Sequence, residues 1–357
     1  MSIRFTMGDT PFSAREREVL GADLESLGAD ERVLDAYEAT VSVRSRLTRP
    51  GILRMMDGDQ FKGAALVVVC RDSGAGLFAQ PSARRAMQFG PPIWYWERTG
   101  VGTDSIACPG LVAPGVDREQ FAASAVSWLS RRYALGALME QAGRPPALPH
   151  TTWPWVGVTT LSPDAGTRSQ LLDEHRNLER KVRRFANRGG SIRRLTGPMP
   201  DALRPALTRG YELPRPPDPP FRELYEQIVD AHWSVGSDDL VHLVAHVGDA
   251  PVGYHSFLRS GRTFALLSGV FDRPSGGTHH AYENVLLESI DLAVDLGCTR
   301  IEYGPAINAV KSSLLDVEPT EIHFVSRIPG MTRAFAAVLP RTVLAASGGG
   351  SQPDAGV

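Results

Sequence analysis

The sequence predicts a mixed α/β fold, and three observations carry that prediction. Residues 239–272 read as three strands in a meander, with turns at Gly248-Asp249-Ala250 and Ser260-Gly261-Arg262 between β-rich runs. A helical stripe follows over 279–296 (Val285, Leu286, Ile290, Ala293, Val294), closed by Gly297, and then strands over 299–303 and 321–327. The first half mixes types as well: the continuous β-branched run of 63–70 and an amphipathic helical pattern over 117–141.

In chain order, residues 13–47 read as helical, with Leu20, Leu24, Leu27, Val33, Leu34 and Tyr37 as the apolar stripe. The strand 63–70 leads into the turn cluster 71–76 and a short strand at 77–79. The aromatic, Pro-bounded segment 90–99 is read as a strand or binding loop, and Asp117 opens the helix after it. The Pro-rich stretch 144–154 is the natural connector. It divides the chain into 1–150, 151–340 and a Gly/Ser-rich tail, 341–357, expected to be disordered. The second part begins with a strand at 155–161, a long basic helix over 169–188, a strand at 191–195 and a helix over 222–233.

Composition excludes several classes. With 42% hydrophobic and 22% charged residues, the chain is that of a soluble globular protein. A net charge of −2 advertises no general affinity for nucleic acid or membrane, so polyanion binding needs a local patch. Three widely spaced cysteines (Cys70, Cys108, Cys298) fit neither a disulfide framework nor a metal motif, and a cytoplasmic setting is expected. No run is long and apolar enough for membrane insertion, and no G-x-S-x-G, HExxH or Walker sequence occurs. His242 and His246 share a strand face but stand too far apart to hold one metal alone. Basic residues are nearly all arginine; lysine occurs only at Lys62, Lys181 and Lys311.

Chemistry concentrates after the meander. The loop Arg273-Pro-Ser275-Gly276-Gly277-Thr278 joins a strand to a helix, where backbone N–H groups and the positive helix end form a cradle for phosphate oxygens. The order strand, strand, strand, loop, helix, strand, short helix, strand resembles the core of GNAT acyltransferases, whose loop at this point reads R/Q-x-x-G-x-G/A. Thr278 departs from the last small position. Further resemblance is to the Fem-type branch, the peptidoglycan-bridge aminoacyltransferases and their bacterial relatives. It rests on Glu302-Tyr303-Gly304-Pro305, on Lys311 a few residues later, and on the basic helix and strand of 175–195. It covers roughly the last 200 residues by motif, and the first 150 by architecture alone.

The resemblance implies two tandem GNAT-like halves around mixed, mostly antiparallel sheets. It also implies transfer of an acyl or aminoacyl group to an amine of a small-molecule or peptide acceptor, in cell-wall or natural-product metabolism. The donor is an acyl-CoA or an aminoacyl-tRNA, no metal is needed, and the protein acts as a monomer or homodimer with tRNA as a candidate partner. Arg273, Ser275, Gly276, Gly277 and Thr278 are expected to cradle the donor, and Lys311 and His280 to meet substrate. Catalytic candidates are Glu302, Tyr303, Tyr282 and Glu283, the titratable or hydroxyl groups nearest the implied cleft. Glu302 and Tyr303 alternate faces, so only one can point into it, and the sequence leaves open which. On the helix, His279 and Glu283 are i, i+4 partners. The competing reading is a non-catalytic GNAT-like module that binds a metabolite or partner, favoured by Thr278.

Overall fold

The structure is a computed structural model that describes residues 3–43, 48–70, 91–97, 110–141, 148–161, 168–208, 229–234, 237–271, 280–303 and 316–333, with 143, 146 and 227 as single positions. The predicted strand at 77–79, the tail 341–357 and half of the helix 222–233 lie outside them.

The first half contributes β1 (Ile3–Gly8), α1 (Ala14–Ser26), α2 (Arg32–Ser42), β2 (Thr48–Asp57), β3 (Gln60–Cys70), β4 (Ile93–Glu97), β5 (Leu111–Val112), α3 (Arg118–Arg132), β6 (Leu135–Gln141) and β7 (His150–Leu161). The second contributes α4 (Arg168–Glu174), α5 (Arg176–Asn187), β8 (Gly190–Thr196), α6 (Arg204–Thr208), β9 (Leu240–Val247), β10 (Ala250–Ser260), β11 (Thr263–Phe271), α7 (Ala281–Asp295), β12 (Arg300–Glu302) and β13 (Asp316–Val325).

Local signals explain most boundaries. Ser13 and Glu16 form a reciprocal capping box that starts α1. Gly28, at φ 72°, breaks the predicted 13–47 helix into α1 and α2. Strand β2 escaped the sequence reading because Pro50 and Gly51 interrupt it. Pro50 is tolerated there because β1 pairs no further than Ile52, so only the β3 side of that position is bonded.

The predicted helix 117–141 ends at Arg132, and its remainder is strand β6. Helix-forming residues such as Ala137, Leu138 and Met139 are drawn into the sheet because β4 and β13 pair with them on both sides. Gly136 permits this: a Cβ there would lie 2.0 Å from Cε2 of Trp94.

The strands form one sheet in the order β1-β2-β3-β4-β6-β13-β7-β12-β11-β10-β9-β8, with β5 beside β3. Only β4–β6 and β11–β12 are parallel; the other recorded pairs are antiparallel. Each half therefore runs as a meander, a helix (α3 or α7) and a returning parallel strand. The last strand of each half then crosses over: β7 pairs with β12, and β13 with β6, while β7 and β13 pair with each other. The Pro-rich stretch read as a connector runs straight into β7 from His150, at the middle of the sheet.

Helix α3 packs on Leu53, Val67, Trp94, Trp96 and Leu138, and α7 on Leu243, Phe257, Phe264, Ile301 and Tyr303. The register carried through β6, β13, β7 and β12 puts both helices on the same sheet face. Helices α1 and α2 cover the other face at Ile52, Ala64 and Leu66, and Ala36 of α2 also meets Leu240, Leu258 and Leu267 of the second half. The two arms of the sheet thus close around α1 and α2.

Candidate functional site

The two halves differ at the helix that opens each parallel unit. At α3 the N-cap Asp117 accepts hydrogen bonds from the amides of Glu119 (2.8 Å) and Gln120 (3.1 Å), and Glu119 adds a second negative charge to that turn. Among the described residues no side chain caps helix α7. Its N-cap, His280, sits at φ 60° and is the one non-glycine residue with positive φ among the described residues. The helix therefore begins at Ala281, two residues later than predicted, and His280 neighbours Glu283 at 3.9 Å, while His279 lies outside the described residues.

The basic helix α5 lies along this N-terminus. Lys181 Nζ donates to Glu283 Oε1 at 2.7 Å, and both side chains are mostly buried. Burial lowers the His280 pKa; Glu283 opposes that shift, while Lys181, Arg184 and Arg188 add to it. His280 is consequently neutral near pH 7. A bound phosphate would meet an open, positive helix end, with the first-turn carboxylate already neutralised by Lys181. These residues fit the anionic part of a coenzyme A or nucleotide donor. On the other flank of α7, Arg194 bonds Glu288 (2.8 Å) and Asp295 (3.1 Å), and Arg168 bonds Asp291 (2.9 Å). Those arginines hold the helix in place.

Tyr282 packs edge-on against His255 (5.6 Å) and Phe271 (5.2 Å), so the first turn of α7 is wedged by aromatic rings at the end of β11. The β11–β12 pairing stops at Ala265–Glu302, while β11 continues to Phe271. In the same strand Ser256 pairs with Ser268 and Phe257 with Leu266, leaving Leu267 as a bulge.

Glu302 and Tyr303 do take opposite faces. The Tyr303 ring is buried under α7 and stacks edge-on against Phe257 at 6.1 Å. Its hydroxyl is 2.8 Å from Ser289 Oγ, and Ser289 donates its own proton to the Leu286 carbonyl at 2.7 Å, so Tyr303 is the donor. Burial pushes the phenol well above its ordinary pKa. Glu302 is fully buried on the opposite face and accepts from Arg300 Nε at 2.8 Å.

Of the residues singled out in the sequence, His280, Tyr282 and Glu283 gather at the α7 N-terminus, with Tyr303 under that helix and Glu302 across the sheet from it. Arg273, Ser275, Gly276, Gly277, Thr278 and Lys311 lie outside the described residues. Arg300 and Ser289 were missed, since neither belongs to a motif. Lys181 was seen only as part of a basic helix, although the scarcity of lysine was a signal that could have singled it out.

His242 and His246 take no part in this region. His242 Nε2 donates to the Gly197 carbonyl at 2.9 Å, which leaves Nδ1 to accept from Ser256 Oγ at 2.7 Å; Ser256 in turn accepts from Trp233 Nε1 at 3.1 Å. Among the described residues no group of three or more His, Cys, Asp and Glu side chains could hold a metal ion, and no helix is long and apolar enough to cross a membrane.

Comparison with known proteins defines the class. Residues 173–312, which run from the end of α4 past β12, match the family model of the acetyltransferase (GNAT) domain. Three solved structures align over nearly the whole chain. A tandem GNAT protein from the clavulanic acid biosynthesis pathway is 12% identical, with a TM-score of 0.52 over 92% of this chain and 99% of its own. FemX is 10% identical, with a TM-score of 0.51 over 95% of this chain and 100% of its own. L-PGS from Bacillus licheniformis is 11% identical, with a TM-score of 0.52 over 94% of this chain and 98% of its own. A search of curated protein sequences gave no match. Residues 173–312 are thus a GNAT acetyltransferase domain. The chain as a whole shares the fold of the tandem GNAT protein, FemX and L-PGS.

Proposed function

We propose that the protein is an N-acyltransferase that moves an acyl or aminoacyl group from an acyl-CoA or aminoacyl-tRNA to an amine of a small-molecule or peptide acceptor. The setting is cell-wall or natural-product metabolism, and the donor site is in the second half. The observation that carries this is the uncapped N-terminus of α7 flanked by Lys181, Arg184 and Arg188, set against the α3 N-terminus that Asp117 closes.

In this reading the donor's phosphates lie between α7, the loop Arg273 to Thr278 and α5, with Lys311 and His280 toward the substrate. The donor supplies the activated carbonyl. The chain supplies orientation, and hydrogen-bond donors near the Leu267 bulge for the oxyanion. Glu302 holds Arg300 where β11 and β12 part, and Tyr303 holds α7 on the sheet.

Calorimetric titration with coenzyme A, acetyl-CoA and charged tRNA tests the reading, with an Arg184→Ala/Arg188→Ala variant in parallel. One donor class should bind and the variant should weaken it about tenfold or more. If neither class binds, or the variant binds unchanged, the donor site is elsewhere and a non-catalytic GNAT-like role gains.

A further inference from the structure

At the β1 edge of the sheet, in the half whose helix N-terminus is closed, a cavity of about 330 Å³ lies between β1, β2 and the last turn of α3. Its walls include Phe5, Met7, Arg49, Trp128, Arg132 and Tyr133, and none of its lining residues is acidic. That volume is within the range of small-molecule sites, at its lower end.

The two arginines are the informative part. Arg17, Arg54, Arg118 and Arg194 each bind a carboxylate, whereas Arg49 and Arg132 have no ion-pair partner among the described residues. Arg132 Cζ stands 4.3 Å over the Trp128 ring, one helical turn back. Stacking fixes the guanidinium plane and leaves its N–H edge for an acceptor. The indole is itself fixed by Phe5, at 6.0 Å between centroids. Met7 lies across Gly51, where a Cβ would be 2.9 Å from Met7 Cε, so the floor is apolar and closely packed.

One effect works against an anion here, the partial negative charge at the C-terminus of α3. Arg131 and Arg132 stand in that last turn and offset it, and Arg131 turns back on the Ser127 carbonyl at 3.4 Å. Two positive charges without a carboxylate, one of them held by Trp128, above an aromatic and thioether floor, select for charge and for an apolar body together. We infer that this cavity binds a small organic anion, a carboxylate or phosphate monoester on a compact aryl or alkyl body. Arg49 and Arg132 take the charged oxygens, and Phe5 and Met7 take the body. The inference does not depend on the transfer reaction.

The test is calorimetry on the full-length protein with phenylacetate, phenyl phosphate and the neutral analogue benzyl alcohol. Arg49→Gln, Arg132→Gln and the double variant are compared, with circular dichroism and thermal melts to verify folding. Saturable one-site binding of at least one anion is expected, weakened about tenfold by each single substitution, with no binding of the alcohol. Which anion binds distinguishes a carboxylate from a phosphate ligand. Absence of saturable binding by both anions overturns the inference, and so does binding that a folded double variant retains. Binding that is lost in the Arg184→Ala/Arg188→Ala variant but kept in these places the anion at α7 and overturns it equally.

Discussion

Lys181 and Glu283, 102 positions apart in the chain, meet at 2.7 Å where α5 crosses the first turn of α7. A carboxylate in the first turn of a helix is stabilised by the helix dipole, but it also repels any anion that approaches the same end. Lys181 resolves that conflict by neutralising Glu283 in place. Lys181→Ala should therefore weaken the binding of coenzyme A or charged tRNA about fivefold, and Glu283→Gln should leave it equal or tighter. The double variant should return close to the wild type. Titrations at two salt concentrations check this, and a Lys181→Ala protein that binds normally removes Lys181 from the donor site.

Tyr303 presents the opposite case, a residue whose chemistry suggests catalysis and whose surroundings suggest packing. Its hydroxyl proton goes to Ser289 inside the core. Tyr303→Phe should cost about 1 kcal/mol of stability, the net worth of one buried hydrogen bond, and leave kcat within about twofold. Denaturant melts and steady-state rates on the same preparation separate the two roles. A loss of two orders of magnitude in kcat at unchanged stability would return Tyr303 to the catalytic set.

What could be read in the sequence follows from how local the information was. The meander 239–272 and the helix after it carry their own periodicity, turn glycines and stop signal, and the structure places β9, β10, β11 and α7 there. Strand β6 was misread because its residues favour a helix in isolation; only β4 and β13, which are distant in sequence, make it a strand. The crossover of β7 and β13 was invisible for the same reason, since pairing partners leave no trace in either strand alone. At the site, alternation established that Glu302 and Tyr303 diverge, but their faces were decided by what packs above them. Asp117 and His279 marked the two helix starts in the sequence, yet the contrast between a closed and an open N-terminus needed backbone geometry.

Two buried histidines predict a pH dependence of stability. Burial holds both His232 and His242 at a pKa of about 4, against an ordinary value near 6.5. A histidine whose folded pKa is depressed binds its proton more readily when unfolded. Stability is therefore full above pH 6.5 and falls as the pH drops from there toward 4, below which the loss levels off. Each depression corresponds to about 3 kcal/mol once complete. Urea melts should show the unfolding free energy dropping between pH 7 and 5, and His232→Gln should flatten the slope. An unfolding free energy that is flat over that interval would contradict burial of the neutral imidazoles.

The closure of the sheet around α1 and α2 rests on the loop between them. Ser260 Oγ donates to Asp30 Oδ1 at 2.9 Å, and the Gly261 amide donates to Asp30 Oδ2 at the same distance. The Gly28 carbonyl accepts from the Arg262 amide and from Thr263 Oγ1. Gly261, at φ 56°, approaches so closely that a Cβ would lie 2.9 Å from the Gly28 carbonyl oxygen. The β10–β11 turn is thus bonded to the first half at several points, and β11 is the strand whose bulge at Leu267 carries the proposed oxyanion donors. Asp30→Ala removes two acceptors from partly buried donors and should cost about 2–3 kcal/mol. Because the crossover of β7 and β13 joins the halves elsewhere, the effect should be local. Hydrogen exchange should quicken at residues 28–32 and 258–263 while the amides of β6 and β13 stay protected. Faster exchange throughout the sheet would mean that this loop, rather than the strand crossover, unites the two halves.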